Sequence, residues 1–163
     1  MLAMSTPDQS EPDAEAQRRL AAGLFNATWT LIEKPDRSVA EDDLMIHTSH
    51  ASAYHWRQVG TPANFARSEW QCSRVYALLG RGEPSLHHAR RALDICTDNG
   101  IGGWDLAFAY EALARGHAVA GEAEAARSWT EQALAALDDV ADQRDQALVL
   151  SDLETIPGQA RFW

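Results

Sequence analysis

Histidine is the residue whose spacing first suggests chemistry. The segment "DDLMIHTSHASAYHW" places His47, His50 and His55 within nine residues. On a helix, successive side chains turn by about 100°, so Asp43, His47, His50 and Tyr54 fall on one stripe at i, i+4, i+7 and i+11. Two imidazoles three residues apart can offer two ligands from one helix to one metal ion. Asp43, His47 and His50 are therefore the candidate metal ligands, with Glu69 or Glu111 as donors that could complete the set from another helix. The Glu-x-x-His pairs of diiron bundles are absent, since Leu44 lies three before His47 and His47 three before His50. His87 and His88 are adjacent, point about 100° apart and are poorly placed to share an ion. Set against the metal reading is the plainer one, in which helix histidines face solvent or are hydrogen-bonded in place.

Proton transfer is the second chemistry open to the same residues. His50 or His55 beside Glu69 would give a general base with a carboxylate near it, and these three are the candidate catalytic residues. No nucleophile stands out: Ser49 has no motif around it, and Cys72 and Cys96 both lie inside helical patterns as small buried thiols. Gly102-Gly103 lacks the strand and the following lysine of a phosphate loop. No cofactor is expected.

Helices must position these residues, because nothing in the chain reads as a strand. Apolar periodicity and stop signals predict seven helices, over about Ala14–Lys34, Ala40–Val59, Pro62–Leu79, Pro84–Asp98, Asp105–Ala120, Glu122–Val140 and Gln143–Thr155. Pro35, Gly60, Gly80, Gly100, Gly121 and Pro157-Gly158 are the punctuation, and Thr61-Pro62 is a start signal with Thr at the cap and Pro at the first helical position. Residues 1–13 carry two prolines and no periodicity, which predicts a disordered lead-in. One domain is expected over residues 14–157, with a short tail over 158–163.

Two stretches copy each other 41 residues apart: "EWQCSRVYALLGRGEPSLHHARRAL" from Glu69 and "YEALARGHAVAGEAEAARSWTEQAL" from Tyr110. Arg74 pairs with Arg115, Ala77 with Ala118, Gly80 with Gly121, Glu83 with Glu124 and Leu93 with Leu134. A fixed period in this range means stacked helical hairpins. The acidic last helix suits an end cap.

Composition excludes several partners. A net charge of −10 leaves no basic stripe for phosphates, so neither nucleic acid nor an anionic membrane is an expected partner. No apolar run approaches the ~20 residues that cross a bilayer, and the N-terminus lacks the basic and apolar regions of a secretory signal. A cytoplasmic address is expected.

From Phe65 to Leu137 the pattern resembles a tetratricopeptide-repeat array. The matching residues are Tyr76, Gly80, Ala92 and Leu93 in one unit, and Tyr110, Leu113, Ala114, Gly121, Ala126, Ala133 and Leu134 in the next. The resemblance implies an all-α, right-handed stack of antiparallel hairpins whose first helices line a concave groove. It places Arg67, Trp70, Gln71, Arg74, Phe108, Glu111 and Arg115 in that groove. Arg74 and Arg115, one repeat apart beside Trp70 and Phe108, could clamp a carboxylate. The competing expectation is internal: Arg74 pairs with Glu111, and Arg115 with a neighbouring acid. The implied function is binding of a peptide, a partner helix or a small acidic ligand. Two alternatives are an enzyme or metal-binding protein using the histidines, and a structural homo-oligomer in which a homodimer would pair one copy with a second.

Overall fold

A computed structural model describes residues 13–163. Among these residues seven α-helices follow one another: α1 (Ala14–Glu33), α2 (Val39–Val59), α3 (Pro62–Leu78), α4 (Gly82–Asp98), α5 (Gly103–Val119), α6 (Ala123–Ala136) and α7 (Gln143–Glu154), with a 3-10 turn at Leu137–Asp139. No strand occurs among the described residues. Of the expected lead-in only Asp13 is described; its carboxylate accepts from the Ala16 amide at 2.7 Å and caps α1. The remainder lies outside the described residues.

Helix starts follow from local chemistry. Ser38 and Glu41 form a reciprocal capping box at α2. At α3 the Asn64 side-chain Oδ1 accepts from the Thr61 amide at 2.9 Å, with Pro62 at the first helical position. Three boundaries differ by two residues or more from the sequence reading, one of them the start of α5, at Gly103 rather than Asp105. Helix α4 begins at Gly82 rather than near Pro84, which is still within the first turn, where a missing N–H breaks no helical bond. Helix α6 stops at Ala136 and tightens into the 3-10 turn, short of Val140. Asp138 and Asp139 oppose the helix dipole there, and the Gln146 side-chain amide donates to the carbonyls of Leu137 and Val140 instead.

The repeat is visible in the backbone. Gly80 and Gly121 both take the left-handed conformation, at φ 68° and 80°. Each closes its helix with the same pair of bonds: Arg81 N–H to Tyr76 and Gly80 N–H to Ala77 in one unit, Glu122 N–H to His117 and Gly121 N–H to Ala118 in the other. These are Schellman turns, which satisfy carbonyls that a helix end leaves free.

Helices pair as α1/α2, α3/α4 and α5/α6, with α2 on α3 and α4 on α5 joining the hairpins. The first helices α1, α3, α5 and α7 touch in succession, so they form one layer. The central pillar is α5, in which every residue from Ala107 to Gly116 except Tyr110 is buried. Leu113 from α5 and Val149 and Leu153 from α7 are at most 1% exposed, each contributing roughly 1.5–3 kcal/mol of apolar burial.

Candidate functional site

The layer of first helices carries the seven groove residues, and each has a partner within the chain. Arg67 forms a two-pronged pair with Asp105, at 2.8 and 2.9 Å, and its guanidinium lies 4.6 Å from the Trp104 ring centre. Gln71 is buried and donates to the Phe25 carbonyl at 2.9 Å, tying α3 to α1. Trp70 stands at the middle of an aromatic ladder. Its ring centre is 5.6 Å from Trp29 of α1 and 5.3 Å from Phe108 of α5, and Phe108 is 5.6 Å from Trp104. The three tryptophans are partly exposed, whereas Phe108 is buried.

Arg74 and Arg115 converge, and what lies between them is Glu111. Glu111 receives Arg115 at 2.7 Å, Arg74 at 3.2 Å and the Trp70 indole N–H at 3.3 Å. Helix α7 supplies the rest. Arg74 reaches Asp152 at 3.4 Å. Arg115 donates to the carbonyls of Asp152 and Thr155 at 2.8 and 3.1 Å, and to the Thr155 hydroxyl at 2.9 Å. Glu111 is fully buried, and burial alone would raise its pKa; the Arg115 and Arg74 charges outweigh that and hold its carboxyl below the usual range. Asp152 moves the other way, raised by burial and then by the Glu111 charge. The internal pairing of Arg74 with Glu111 is therefore realised, and Arg115 shares the same carboxylate. Only about 20 Å³ of free space remains among Arg67, Trp70, Trp104 and Phe108, against the roughly 300 Å³ or more of a small-molecule site.

The histidines occupy a different surface. Asp43, His47, His50 and Tyr54 form an exposed stripe on α2. Among the described residues no three His, Cys, Asp or Glu side chains are grouped so as to hold a metal ion. Glu111, proposed as a third donor, is instead committed to the arginines. His55 turns toward α1 and bonds the Gln17 side chain. His50 turns toward the second hairpin, where its Nε2 lies 2.9 Å from the Tyr76 hydroxyl and its ring centre 5.2 Å from that of His88. His88 stacks on Tyr76 and bonds Glu69 through Nδ1 at 2.7 Å. Glu69 also accepts from Arg57 at 3.2 Å. Of the three catalytic candidates, Glu69 and His50 thus meet in one cluster and His55 stands apart.

Tyr76 and His88 are the members that sequence reasoning missed. The adjacency of His87 and His88 compares those two only with each other; the partners of His88 lie on α2 and α3. Although His50 lies on the exposed stripe, its ring is partly desolvated where it meets Tyr76 and His88, which lowers its pKa, and the neighbouring His88 charge lowers it further. Burial would raise Glu69, but its bonds from His88 and Arg57 hold it below the usual carboxylate range. Neither cysteine is a nucleophile: burial pushes the Cys72 thiol to about 12 and the Cys96 thiol to about 11, and both are free.

A hollow of about 430 Å³ opens between the α5–α6 turn and the C-terminal stretch, with Gly121, Ala126, Arg127, Gln159 and Phe162 among its walls. Arg127 lies 4.0 Å over the Phe162 ring, Gln159 donates to Thr130 at 2.9 Å, and Arg161 pairs with Glu154 at 2.8 Å. Residues 158–163 are thereby laid against α6 and α7. No helix among the described residues is long and apolar enough to cross a membrane. The chain matches no protein-family model, no curated protein and no solved structure.

Proposed function

We propose that this protein is a helical-repeat binding protein of the tetratricopeptide kind, holding a partner chain across its layer of first helices. The observation that carries the reading is the ladder Trp29–Trp70–Phe108–Trp104, which crosses α1, α3 and α5 and leaves three indoles partly open to solvent. Large rigid aromatics lose little conformational entropy on contact and dominate binding surfaces. The 41-residue spacing of the two left-handed glycine turns supports the repeat.

The form of the partner follows from what the layer lacks. Its two arginines are occupied by Glu111 and α7, and no cavity opens among the rings. A peptide or partner helix laid over the indoles fits better than a small acidic ligand held between guanidiniums. The buried free thiols of Cys72 and Cys96 suit a reducing cytoplasm.

Selection from a displayed library of random peptides tests this. Peptides that bind the wild-type chain should carry apolar or aromatic side chains and should lose at least tenfold in affinity, about 1.4 kcal/mol, against Trp29→Ala or Trp104→Ala. Selected peptides that bind both variants as tightly as wild type would place the binding surface elsewhere.

A further inference from the structure

The cluster around His50 bridges the first and second hairpins. Arg57 and His50 come from α2, Glu69 and Tyr76 from α3, and His88 from α4. Contacts run in sequence from Arg57 to Glu69 at 3.2 Å, Glu69 to His88 at 2.7 Å, His88 to His50 at 5.2 Å between ring centres, and His50 to Tyr76 at 2.9 Å. The first hairpin meets the rest of the stack mainly through α2 on α3, with a smaller contact of α1 on α3; Gln71 to the Phe25 carbonyl, Trp29 on Trp70 and Arg57 over Phe65 also cross this junction, and the cluster is the tie among these that is built around imidazoles. We propose that the cluster is an acid-released clasp, in which neutral His50 holds the first hairpin on the second and protonated His50 lets it go.

The physical reason is the company His50 keeps. From α4 it faces His88, and from its own helix His47, so a proton on its ring adds a cation beside two imidazoles. Glu69 on α3 is the opposing charge, but it is already engaged by His88 and Arg57. Tyr76, the direct hydrogen-bond partner on α3, is neutral and has Arg81 over its ring at 5.7 Å; Cys72 on the same helix is an uncharged buried thiol. His87 sits against His88 on the outer side. His50 therefore binds its proton less readily in the folded chain than a free imidazole, whose pKa is 6.5. The unfolded or opened state takes up more protons, so the stability that the clasp contributes is full above about pH 6.5 and is lost as pH falls below it. An end hairpin of a stacked array can open without the remainder, since each unit contacts only its neighbours. Opening would also part Trp29 from Trp70; that consequence rests on the binding reading above, whereas the clasp does not.

Hydrogen exchange of the full chain at pH 7.5 and pH 5, corrected for intrinsic rates, reads the clasp directly. Peptides from α1 and α2 should lose several-fold more protection than peptides from α5, since the end hairpin opens without the remainder. His50→Gln keeps a hydrogen-bonding group for Tyr76 but cannot charge, and it should abolish that difference. His55→Gln, on the same helix but bonded to α1, should leave the difference intact. Equal loss in α2 and α5 of the wild type, or an unchanged difference in His50→Gln, would overturn the proposal. Should His50→Gln fail to fold, an NMR titration of wild-type His50 decides: a midpoint below 6.5 supports the clasp, and one at or above it refutes it.

Discussion

The two ends of the stack are held together by different chemistry. At the C-terminal end, α5, α7 and the turn that follows α7 bury Ala107, Phe108, Ala114, Val149, Leu153 and Ile156 beside the Arg74–Glu111–Arg115 network. At the N-terminal end, the buried apolar residues of α1 and α2 are only Ala21 and Met45. The rest of that buried seam is hydroxyls. Thr28 donates toward Leu24 and meets Thr48 at 2.8 Å, and Ser52 donates to the Ala21 carbonyl across the hairpin at 2.8 Å. Each such bond contributes only about 1 kcal/mol net, whereas each large buried side chain contributes two or three times that. A stack built this way has a firm end and a soft end, and the soft end is where the histidine cluster sits.

The strongest test of the firm end is Glu111→Ala. It leaves the Arg74 and Arg115 guanidiniums buried without their shared carboxylate, and breaking a buried pair in this manner costs about 3–5 kcal/mol. For a domain of this size that lowers the melting midpoint by roughly ten degrees or more, and urea unfolding followed by circular dichroism would measure it. A loss under about 1 kcal/mol would mean the network is incidental and the contrast between the ends rests on apolar burial alone.

A smaller effect is expected from Gly121→Val, at the turn between α5 and α6. A Cβ there would meet nothing within 4 Å, so the whole cost is backbone conformation at φ 80°. A β-branched residue in that region is strained by about 1–3 kcal/mol. The matching Gly80→Val, at φ 68° and also in open space, should cost a similar amount. If either behaves like an ordinary surface change, within about 0.5 kcal/mol, the two turns are not equivalent units of one repeat.

What the sequence made legible is what local chemistry determines. Pro62, Gly80, Gly100 and Gly121 act on the residues beside them, and the helices they bound match the structure closely. The equivalence of Arg74 and Arg115 was legible from the repeat, as was the pairing of Arg74 with Glu111. The share taken by α7 was not, because Asp152 and Thr155 stand outside the repeat register and reach Arg115 only through tertiary packing. Nor was the cluster of His50, Tyr76, His88 and Glu69. Helical spacing ranks residues along one helix; it says nothing about which face of α2 meets which face of α4.

The smallest expected effect works in the opposite direction and probes the soft end. Gly23 lies inside α1, is exposed, and would place a new Cβ in open space with nothing within 4 Å. Alanine in a helix interior is favoured over glycine by about 0.5–1 kcal/mol, because the unfolded chain gives up less backbone freedom. Gly23→Ala should therefore stabilise the first hairpin. Where that gain is seen discriminates between two pictures of the molecule. If the hairpin opens on its own, exchange protection should rise in α1 and α2 by about two- to fivefold, the factor that such an energy carries, while α5 amides change little. If the stack unfolds as a single unit, protection should rise equally in α1 and α5, and the melting midpoint should climb by a few degrees. The second result would dissolve the distinction between the ends, since a substitution on the open face of the first hairpin would then be felt in full by the apolar core 80 or so residues away in the chain.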